Sequence, residues 1–143
     1  MFMGEYNHTI DPKNRLIVPA KFREGLGENF VISSGLDGCL YLTPANEWEK
    51  FTEQLMALPN TMEARQVQRH FLRNANECEL DKQGRILVPQ NLKDSVGLEK
   101  NILLIGVGKR VELWAEEKYE TLACSESMEA LVEKMSTTYG LNF

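Results

Sequence analysis

One stretch of the amino-acid sequence occurs twice, 70 residues apart, and this repetition limits the folds open to the chain. Residues 11–19 read DPKNRLIVP and residues 81–89 read DKQGRILVP. Further residue pairs of the same class follow, first at the same shift and then, after one inserted residue, at a shift of 71: Phe22/Leu92, Arg23/Lys93, Glu24/Asp94, Gly27/Gly97, Leu42/Leu113, Trp48/Tyr119 and Phe51/Leu122. The sequence therefore predicts two copies of a unit of about 45 residues, joined by a bridge.

Each copy begins with the same predicted elements. A short strand, at residues 6–10 or 77–80, leads into a polar turn whose Asn14 or Gly84 tolerates a positive φ. The apolar run that follows, at 16–18 and 86–88, predicts a strand buried on both faces or nearly so. The proline after each run, Pro19 or Pro89, is expected at the first position of a short helix.

A hairpin and a helix complete each copy. The predicted hairpins join residues 30–33 to 39–42 and residues 102–105 to 111–114, the second through the Gly-Val-Gly turn at 106–108. The helix of the first copy is expected to begin with Thr43 as N-cap and Pro44 in its first turn. Its apolar stripe consists of Trp48, Phe51, Leu55 and Met56, and Tyr119 and Leu122 continue the corresponding stripe in the second copy.

Two further helices are predicted outside the hairpins. The bridge is expected to be helical over residues 61–74, with Met62, Val67 and Phe71 on one side. The last helix is expected over residues 128–139, closed by Gly140.

One such unit is too small to bury both faces of its own sheet, whereas two similar units in one chain can interleave. The fold class predicted is therefore α+β, a pseudo-twofold β-barrel of two tandem units with external helices. The expected division is a first repeat at 5–47, a helical bridge at 48–75, a second repeat at 76–119 and a C-terminal helical segment at 120–143.

Composition narrows the functional class. The chain has 143 residues, a formal net charge of −5 and three cysteines, Cys39, Cys78 and Cys124, without a C-x-x-C pair. That pattern disfavours a disulfide framework and a zinc site, and no cofactor motif is present. The absence of a signal-like start or a long apolar run favours a cytoplasmic protein without membrane contact.

The charge is distributed unevenly along the chain. Residues 112–143 carry seven glutamates against two lysines, whereas residues 1–111 hold 14 basic and 14 acidic residues. Screening confines each charge to about 8–10 Å, so the acidic segment leaves anion binding elsewhere open.

The repeated turn holds the candidate binding residues. Asp11 and Asp81 are expected to cap their turns structurally, because aspartate before a tight turn binds backbone N–H groups. The arginines four residues later, held on rigid hairpins, suit a forked contact to phosphate or guanine, although covering apolar surface with their stems is an equal alternative. Lys13 and Asn14, and Lys82 and Gln83 in the second copy, would join Arg15 and Arg85 in a basic, amide-bearing edge.

The tandem D-x-x-x-R-x-x-x-P motif, together with the opening MFMGEY, resembles the MraZ family of bacteria over essentially the whole chain. The resemblance implies AbrB-like swapped-hairpin domains and a regulator of the division and cell-wall gene cluster, associated with the nucleoid. It also implies binding to direct repeats of double-stranded DNA near a promoter, and a homo-oligomeric ring. The DNA-contacting positions it implies are Arg15, Lys13 and Asn14, with Arg85 and Lys82 as their counterparts in the second copy.

Other interpretations apply to the aspartates, to the whole chain, and to the basic and histidine residues. An aspartate dyad of Asp11 and Asp81 is disfavoured because the arginine beside each would keep both ionised, so no enzymatic activity is expected. A structural or antitoxin-like protein-binding module remains the alternative function. The basic stripe of Arg65, Arg69, His70 and Arg73 is interpreted as a solvated helix face or as a partner for a neighbouring subunit's acidic tail, and His8 and His70 as isolated histidines without a metal role.

Overall fold

The structure, a computed structural model, describes residues 1–122 and 125–142. Its elements, in chain order, are β1 (Phe2–Thr9), β2 (Arg15–Ile17), α1 (Ala20–Leu26), β3 (Phe30–Ser34), β4 (Leu40–Pro44), α2 (Ala45–Met56), α3 (Met62–Leu72), β5 (Asn76–Cys78), β6 (Arg85–Leu87), α4 (Gln90–Ser95), β7 (Asn101–Gly108), β8 (Val111–Ala115), α5 (Glu116–Thr121) and α6 (Met128–Tyr139). The mixed α+β class is confirmed. Cys124 lies outside the described residues.

The two repeats exchange their first strands. The larger sheet is antiparallel with the order β1-β7-β8-β4-β3-β5, so β1 of the first repeat pairs with β7 of the second, and β5 of the second pairs with β3 of the first. The order is symmetric about the contact of β4 with β8, where Leu40 lies opposite Leu113. Neither repeat completes its part of the sheet alone. The expected interleaving of the two units therefore consists of an exchange of β1 and β5 between them.

A second, two-stranded sheet joins the repeats again. β2 and β6 pair antiparallel with Leu16 opposite Ile86, Arg15 opposite Leu87 and Ile17 opposite Arg85. We call residues 11–18 and 81–88, which contain these strands and their turns, the central ribbon.

The prediction that the apolar runs are buried on both faces is wrong. Leu16 and Val18 are fully buried and Ile86 is 1% exposed, but Ile17 is 41% exposed and Leu87 is 64% exposed. Side chains alternate between the two faces of a strand, and only one face of the ribbon meets the core. The other face is open.

One apolar core unites the two repeats. It places Leu16, Phe22 and Phe30 of the first repeat in the same cluster as Ile86 and Leu92 of the second. The ring of Phe22 also makes T-shaped contacts with the rings of Phe2 and Tyr6, at centroid distances of 5.9 Å and 5.2 Å.

A smaller cluster lies where α2 and α3 pack against the large sheet. Leu55 and Phe71 are buried there with Trp114, and the rings of Phe51 and Phe71 meet edge to face at 5.0 Å. The apolar sides predicted for these helices are only partly correct. Met56, Met62 and Val67 are 62%, 69% and 43% exposed, because they turn away from the sheet that buries Phe71.

Several predicted element boundaries require correction. Pro19 and Pro89 precede their helices as N-cap residues with ψ of 140° and 137°, so their backbone is extended rather than helical. Pro44 likewise caps α2, and Thr43 belongs to β4. The Gly-Val-Gly segment 106–108 is the end of β7 and not a turn, because β1 pairs along the full length of that strand, from Phe2 opposite Gly108 onward.

The two remaining helices agree with expectation. Thr61 caps α3 by accepting a hydrogen bond from the N–H of Ala64 at 3.1 Å. α6 ends at Tyr139, followed by Gly140 in the left-handed conformation with φ of 74°. Within residues 1–122 and 125–142, no helix combines the length and apolar character that crossing a membrane requires.

Candidate nucleic-acid interface

The carboxylate of Asp11 accepts hydrogen bonds from both the backbone and the side chain of Arg15. Oδ1 of Asp11 accepts the backbone N–H groups of Lys13 and Arg15 at 2.9 Å and 2.8 Å, while Oδ2 accepts Nε–H of Arg15 at 2.6 Å. Two backbone hydrogen bonds close the turn, from Asp11 N–H to the Arg15 carbonyl and from Asn14 N–H to the Asp11 carbonyl. The guanidinium is therefore oriented before any ligand arrives.

The second turn repeats this geometry. Oδ1 of Asp81 accepts the N–H groups of Gln83 and Arg85, both at 2.9 Å, and Oδ2 accepts Nε–H of Arg85 at 2.9 Å. Gly84 has φ of 75°, close to the 62° of Asn14 at the equivalent position. Each aspartate therefore accepts the N–H groups of its own turn in the same pattern.

Arg15 and Arg85, each hydrogen-bonded to the aspartate of its turn, lie on one face of the central ribbon. Arg15 is opposite Leu87 and Arg85 is opposite Ile17, and directly opposed residues of antiparallel strands share a face. The arginines are thus diagonal neighbours, with α-carbons roughly 7–8 Å apart. Ile17 and Leu87 occupy the other diagonal of the same exposed face, so two arginines and two apolar side chains alternate around one small patch.

Each turn is anchored to the opposite repeat. The N–H of Val18 donates to the Gly84 carbonyl at 2.9 Å, and the N–H of Val88 donates to the Asn14 carbonyl at 2.8 Å. The turns consequently lie at opposite ends of the ribbon, roughly 13 Å apart by the rise of four strand residues. Lys13 and Lys82 are exposed at these two ends.

The first turn is supported by two side chains from α4. Nδ2 of Asn14 donates to Oε1 of Gln90 at 2.8 Å, and Nζ of Lys93 donates to Oδ1 of Asn14 at 3.1 Å. The amide predicted to contact DNA is thus engaged on both of its polar atoms, while its DNA contact stays a prediction.

The second turn is supported differently. Nε of Arg23 donates to the Val18 carbonyl at 2.7 Å, and its guanidinium lies over Gly84, where a β-carbon would collide with it. Arg23 and Lys93 occupy equivalent positions in the two repeats. The larger arginine side chain thus lies against glycine in the second turn, whereas the smaller lysine side chain lies against asparagine in the first turn.

Hydrogen bonding keeps both aspartates ionised. The backbone N–H of Arg15 is the largest influence on Asp11 and lowers the pKa of its carboxyl below the ordinary value of 3.8; desolvation opposes this, and the Arg15 side chain and Lys13 N–H lower the pKa further. The Arg85 backbone N–H lowers the pKa of Asp81 in the same way. Neither carboxyl is suited to hold a proton at neutral pH.

The hydrogen bonds leave the ends of the arginines available. Among the described residues, Arg15 and Arg85 donate only through their backbone N–H and Nε, and their side chains are 37% and 25% exposed. The paired terminal nitrogens of a guanidinium are a forked donor whose geometry suits a phosphate or a guanine edge.

Four residues of this surface were not singled out by sequence reasoning. The apolar runs predict Ile17 and Leu87 in the core, although each lies two residues from an arginine of its own strand, a spacing that indicates the outward face. Arg23 and Lys93 entered only as a matched pair of the repeat, and that match was the one signal available for them. With them, six basic side chains and two aspartates make up the ribbon and its supports.

The other candidate groups lie elsewhere. Nε2 of His70 is 2.7 Å from the Gly35 carbonyl oxygen, and His8 is half-buried in β1. Burial raises the pKa of the Cys39 thiol to about 12 and that of Cys78 to about 11, so both are protonated at neutral pH. No group of three or more His, Cys, Asp or Glu side chains placed to hold a metal ion occurs in the part of the chain that the structure describes.

Comparison with known proteins assigns the chain to a family. The family model described as "MraZ protein, putative antitoxin-like" matches it twice, over residues 1–70 and 71–140. A protein named "Transcriptional regulator MraZ" from Lachnoclostridium phytofermentans is 52% identical over 143 residues, which are 100% of both chains. Proteins of the same name from Clostridium acetobutylicum and Heliobacterium modesticaldum are 53% and 51% identical over 138 residues, covering 95% and 94% of this chain and 97% and 96% of theirs. The chain belongs to the MraZ family.

Proposed function

We propose that this protein is a transcriptional regulator that binds DNA sequence-specifically through the exposed face of its central ribbon. Relatives at about half identity carry the name transcriptional regulator, which supports this class and not an enzymatic one. The observation that carries the proposal is the pair of aspartate-clasped arginines, Arg15 and Arg85, on one face of a two-stranded ribbon. A two-stranded ribbon fits the major groove of B-DNA, where arginine reads guanine by a forked contact.

Each group of the ribbon has a proposed role. Arg15 and Arg85 contact guanine or phosphate, and Lys13 and Lys82 contact the phosphates on either side. Ile17 and Leu87, on the other diagonal of the same face, contact thymine methyl groups or sugar. Asn14 acts beside Arg15, either on DNA directly or by holding Lys93 in position.

One protomer offers too few phosphate contacts for tight binding. Each neutralised phosphate contributes about 0.9 to the dependence of log affinity on log salt, and the net charge of the chain is −5. A ring of identical protomers that aligns several ribbons with successive direct repeats raises affinity through effective concentration. We therefore include multivalent binding by a ring oligomer in the proposal.

The finer points that the family resemblance implies belong to the same proposal. They are a binding site of promoter-proximal direct repeats, action on the division and cell-wall gene cluster, and nucleoid association.

We also propose that the two sheets form one pseudo-twofold barrel of AbrB-like units, supported by their shared core and by the bridge between Ile10 and Leu16. The division into repeats at 5–47 and 76–119, a bridge at 48–75 and a terminal segment at 120–143 is retained.

A protein-binding, antitoxin-like module is the second candidate, favoured by the description of the matching family model. It predicts that the protein folds normally but fails to bind its own upstream DNA when heparin competes for generic anion sites.

The test is a gel-shift titration on the protein's upstream region with one, two and four sequence repeats. We expect a much weaker complex with one repeat than with four, and loss of binding in Arg15→Ala and Arg85→Ala variants that keep the oligomer mass and melting temperature. Lys21→Ala, an exposed change on α1, serves as the matched control. Equal affinity for one and four repeats would contradict the multivalent mechanism, and unfolded arginine variants would assign these residues to structure.

A further inference from the structure

α6 carries an apolar stripe that the described residues cover only in part, since Leu131 and Val132 are half-buried and the other stripe residues are exposed. Met128, Leu131, Val132, Met135 and Tyr139 recur at the spacing that places side chains on one helix face. None of the twelve residues of α6 is buried; Met128 is 68% exposed and Tyr139 is 78% exposed. An isolated helix of this length is marginal in water, so the exposed part of this stripe indicates a missing partner.

An acidic edge runs beside this stripe. Glu129 and Glu133 are four residues apart and therefore lie on the same side of the helix, about 6 Å apart along its axis. Lys134, on the other side, is engaged by Glu126 at 3.0 Å. The surface offered by α6 is thus apolar with a negative border.

A surface of opposite charge lies on α2 and α3. An open groove between the end of α2 and α3 is lined by Met56, Leu72 and Gln68 and bordered by Arg65, Arg69 and Arg73. Met56 is 62% exposed and Leu72 is 37% exposed, so the floor of the groove is apolar. The three arginines recur at the same four-residue spacing as the two glutamates of α6.

The basic border has few partners within the protomer. Among the described residues, no ion pair involves Arg65, Arg69 or Arg73, and Arg65 donates one hydrogen bond, to Asn60. A helix with an apolar stripe and a negative border matches this groove both in its contacts and in its charge.

We propose that α6 of one protomer docks into the α2–α3 groove of a second copy of this chain, with Glu129 and Glu133 against the row of Arg65, Arg69 and Arg73. The two surfaces are different patches of one chain, so the contact is heterologous and generates a closed ring or an open fibre. This inference supplies the contact for the self-association in the proposed function, and it leaves the central ribbon free. It also gives the acidic segment a role other than DNA binding.

The test is charge reversal with rescue, read by native mass and light scattering of the full chain. Arg69→Glu and Glu133→Lys, each alone, place like charges in the contact, and we expect the dissociation constant for self-association to rise at least about tenfold. The double variant restores opposite charges and is expected to recover the assembly. Lys21→Glu on α1 and Glu120→Lys on α5 are matched controls that reverse exposed charges outside the proposed contact.

The outcomes separate this inference from the proposed function. Oligomers unchanged in both single variants, or a double variant no better than either, would overturn the α6 contact while leaving ring formation and DNA binding intact. A wild-type protein that is monomeric at all concentrations would overturn both the contact and the multivalent mechanism. Folding of every variant is checked by its melting temperature, and Met135→Glu on the apolar stripe is a second, independent disruption.

Discussion

The carboxylate of Asp11 accepts both the backbone N–H and the side-chain Nε–H of Arg15, at 2.8 Å and 2.6 Å. Asp11 thereby orients both the backbone of Arg15, where β2 begins, and its guanidinium group. The same relationship joins Asp81 to Arg85 at 2.9 Å for both contacts. Orientation before binding removes part of the entropy cost that a free arginine side chain would incur on meeting DNA.

The first prediction concerns this orientation. In Asp11→Asn the amide oxygen can still accept backbone N–H groups, but an amide NH₂ facing Nε of Arg15 cannot accept. We expect affinity for the upstream DNA to fall about tenfold, which corresponds to roughly 1.4 kcal/mol. Gel-shift titration at fixed salt measures it, with Glu28→Gln, an exposed change between α1 and β3, as the control. Unchanged affinity in a folded Asp11→Asn variant would show that the clasp does not prepare Arg15 for binding.

The second prediction separates the two faces of the ribbon. Leu16 and Ile17 are adjacent, but Leu16 is fully buried and Ile17 is 41% exposed. Leu16→Ala should lower the free energy of unfolding by about 2–5 kcal/mol, the usual range for a buried leucine. Ile17→Ala should change stability much less and weaken DNA binding instead.

Urea unfolding and gel shifts on the same two proteins measure this contrast. A large stability loss in Ile17→Ala, with DNA affinity intact, would place that side chain among the core groups after all.

The third prediction concerns the different supports of the two turns. A β-carbon at Gly84 would collide with the guanidinium of Arg23, and Arg23 is held by its bond to the Val18 carbonyl. Gly84→Ala should therefore destabilise the fold by at least about 1–2 kcal/mol, since alanine is also strained at a positive φ. Gly84→Asn should be rescued in part by Arg23→Lys, because that pair reproduces Asn14 with Lys93.

Thermal unfolding of the single and double variants provides the measurement. Additive losses in Gly84→Asn/Arg23→Lys would argue against a coupled pair.

The fourth prediction is a pH dependence. The pKa of Asp11 and of Asp81 is lower in the folded protein than the ordinary 3.8, so their stabilising effect is present above that value. It is lost as the pH falls through the lower, folded pKa. The urea midpoint should consequently fall more steeply below about pH 4 in the wild type than in Asp11→Asn/Asp81→Asn.

The control for this profile is Glu28→Gln, which removes one exposed carboxylate outside the turns. Parallel acid profiles of the wild type and the double asparagine variant would contradict the role given to the two carboxylates.

Much of the fold was predictable because the same sequence motif occurs in both repeats. The repeated motif located both turns, both arginines and the hairpins, since local turn chemistry and apolar alternation depend on neighbouring residues. The prediction failed for Ile17 and Leu87 because an apolar triplet does not reveal which face the rest of the molecule covers. Tertiary pairing also overrode a local turn signal at Gly106, which β1 holds inside a strand.

The supports of the turns were beyond reach for a related reason. Arg23 meets Gly84, and Lys93 meets Asn14, across separations of about sixty to eighty residues, which the pairing of β2 with β6 brings together. Sequence showed the basic match between Arg23 and Lys93 but gave no indication that each serves the turn of the opposite repeat.

Photo-cross-linking to a several-repeat operator tests the central claim most directly, with a benzophenone side chain placed at Leu87 on the ribbon or at Tyr139 on α6. Leu87 and Tyr139 are 64% and 78% exposed, so the benzophenone side chain can be placed at either position without disturbing the core. The account predicts efficient DNA cross-links from Leu87, abolished by Arg15→Ala, and protein–protein cross-links from Tyr139. Cross-linking of DNA from Tyr139, with none from Leu87, would contradict it.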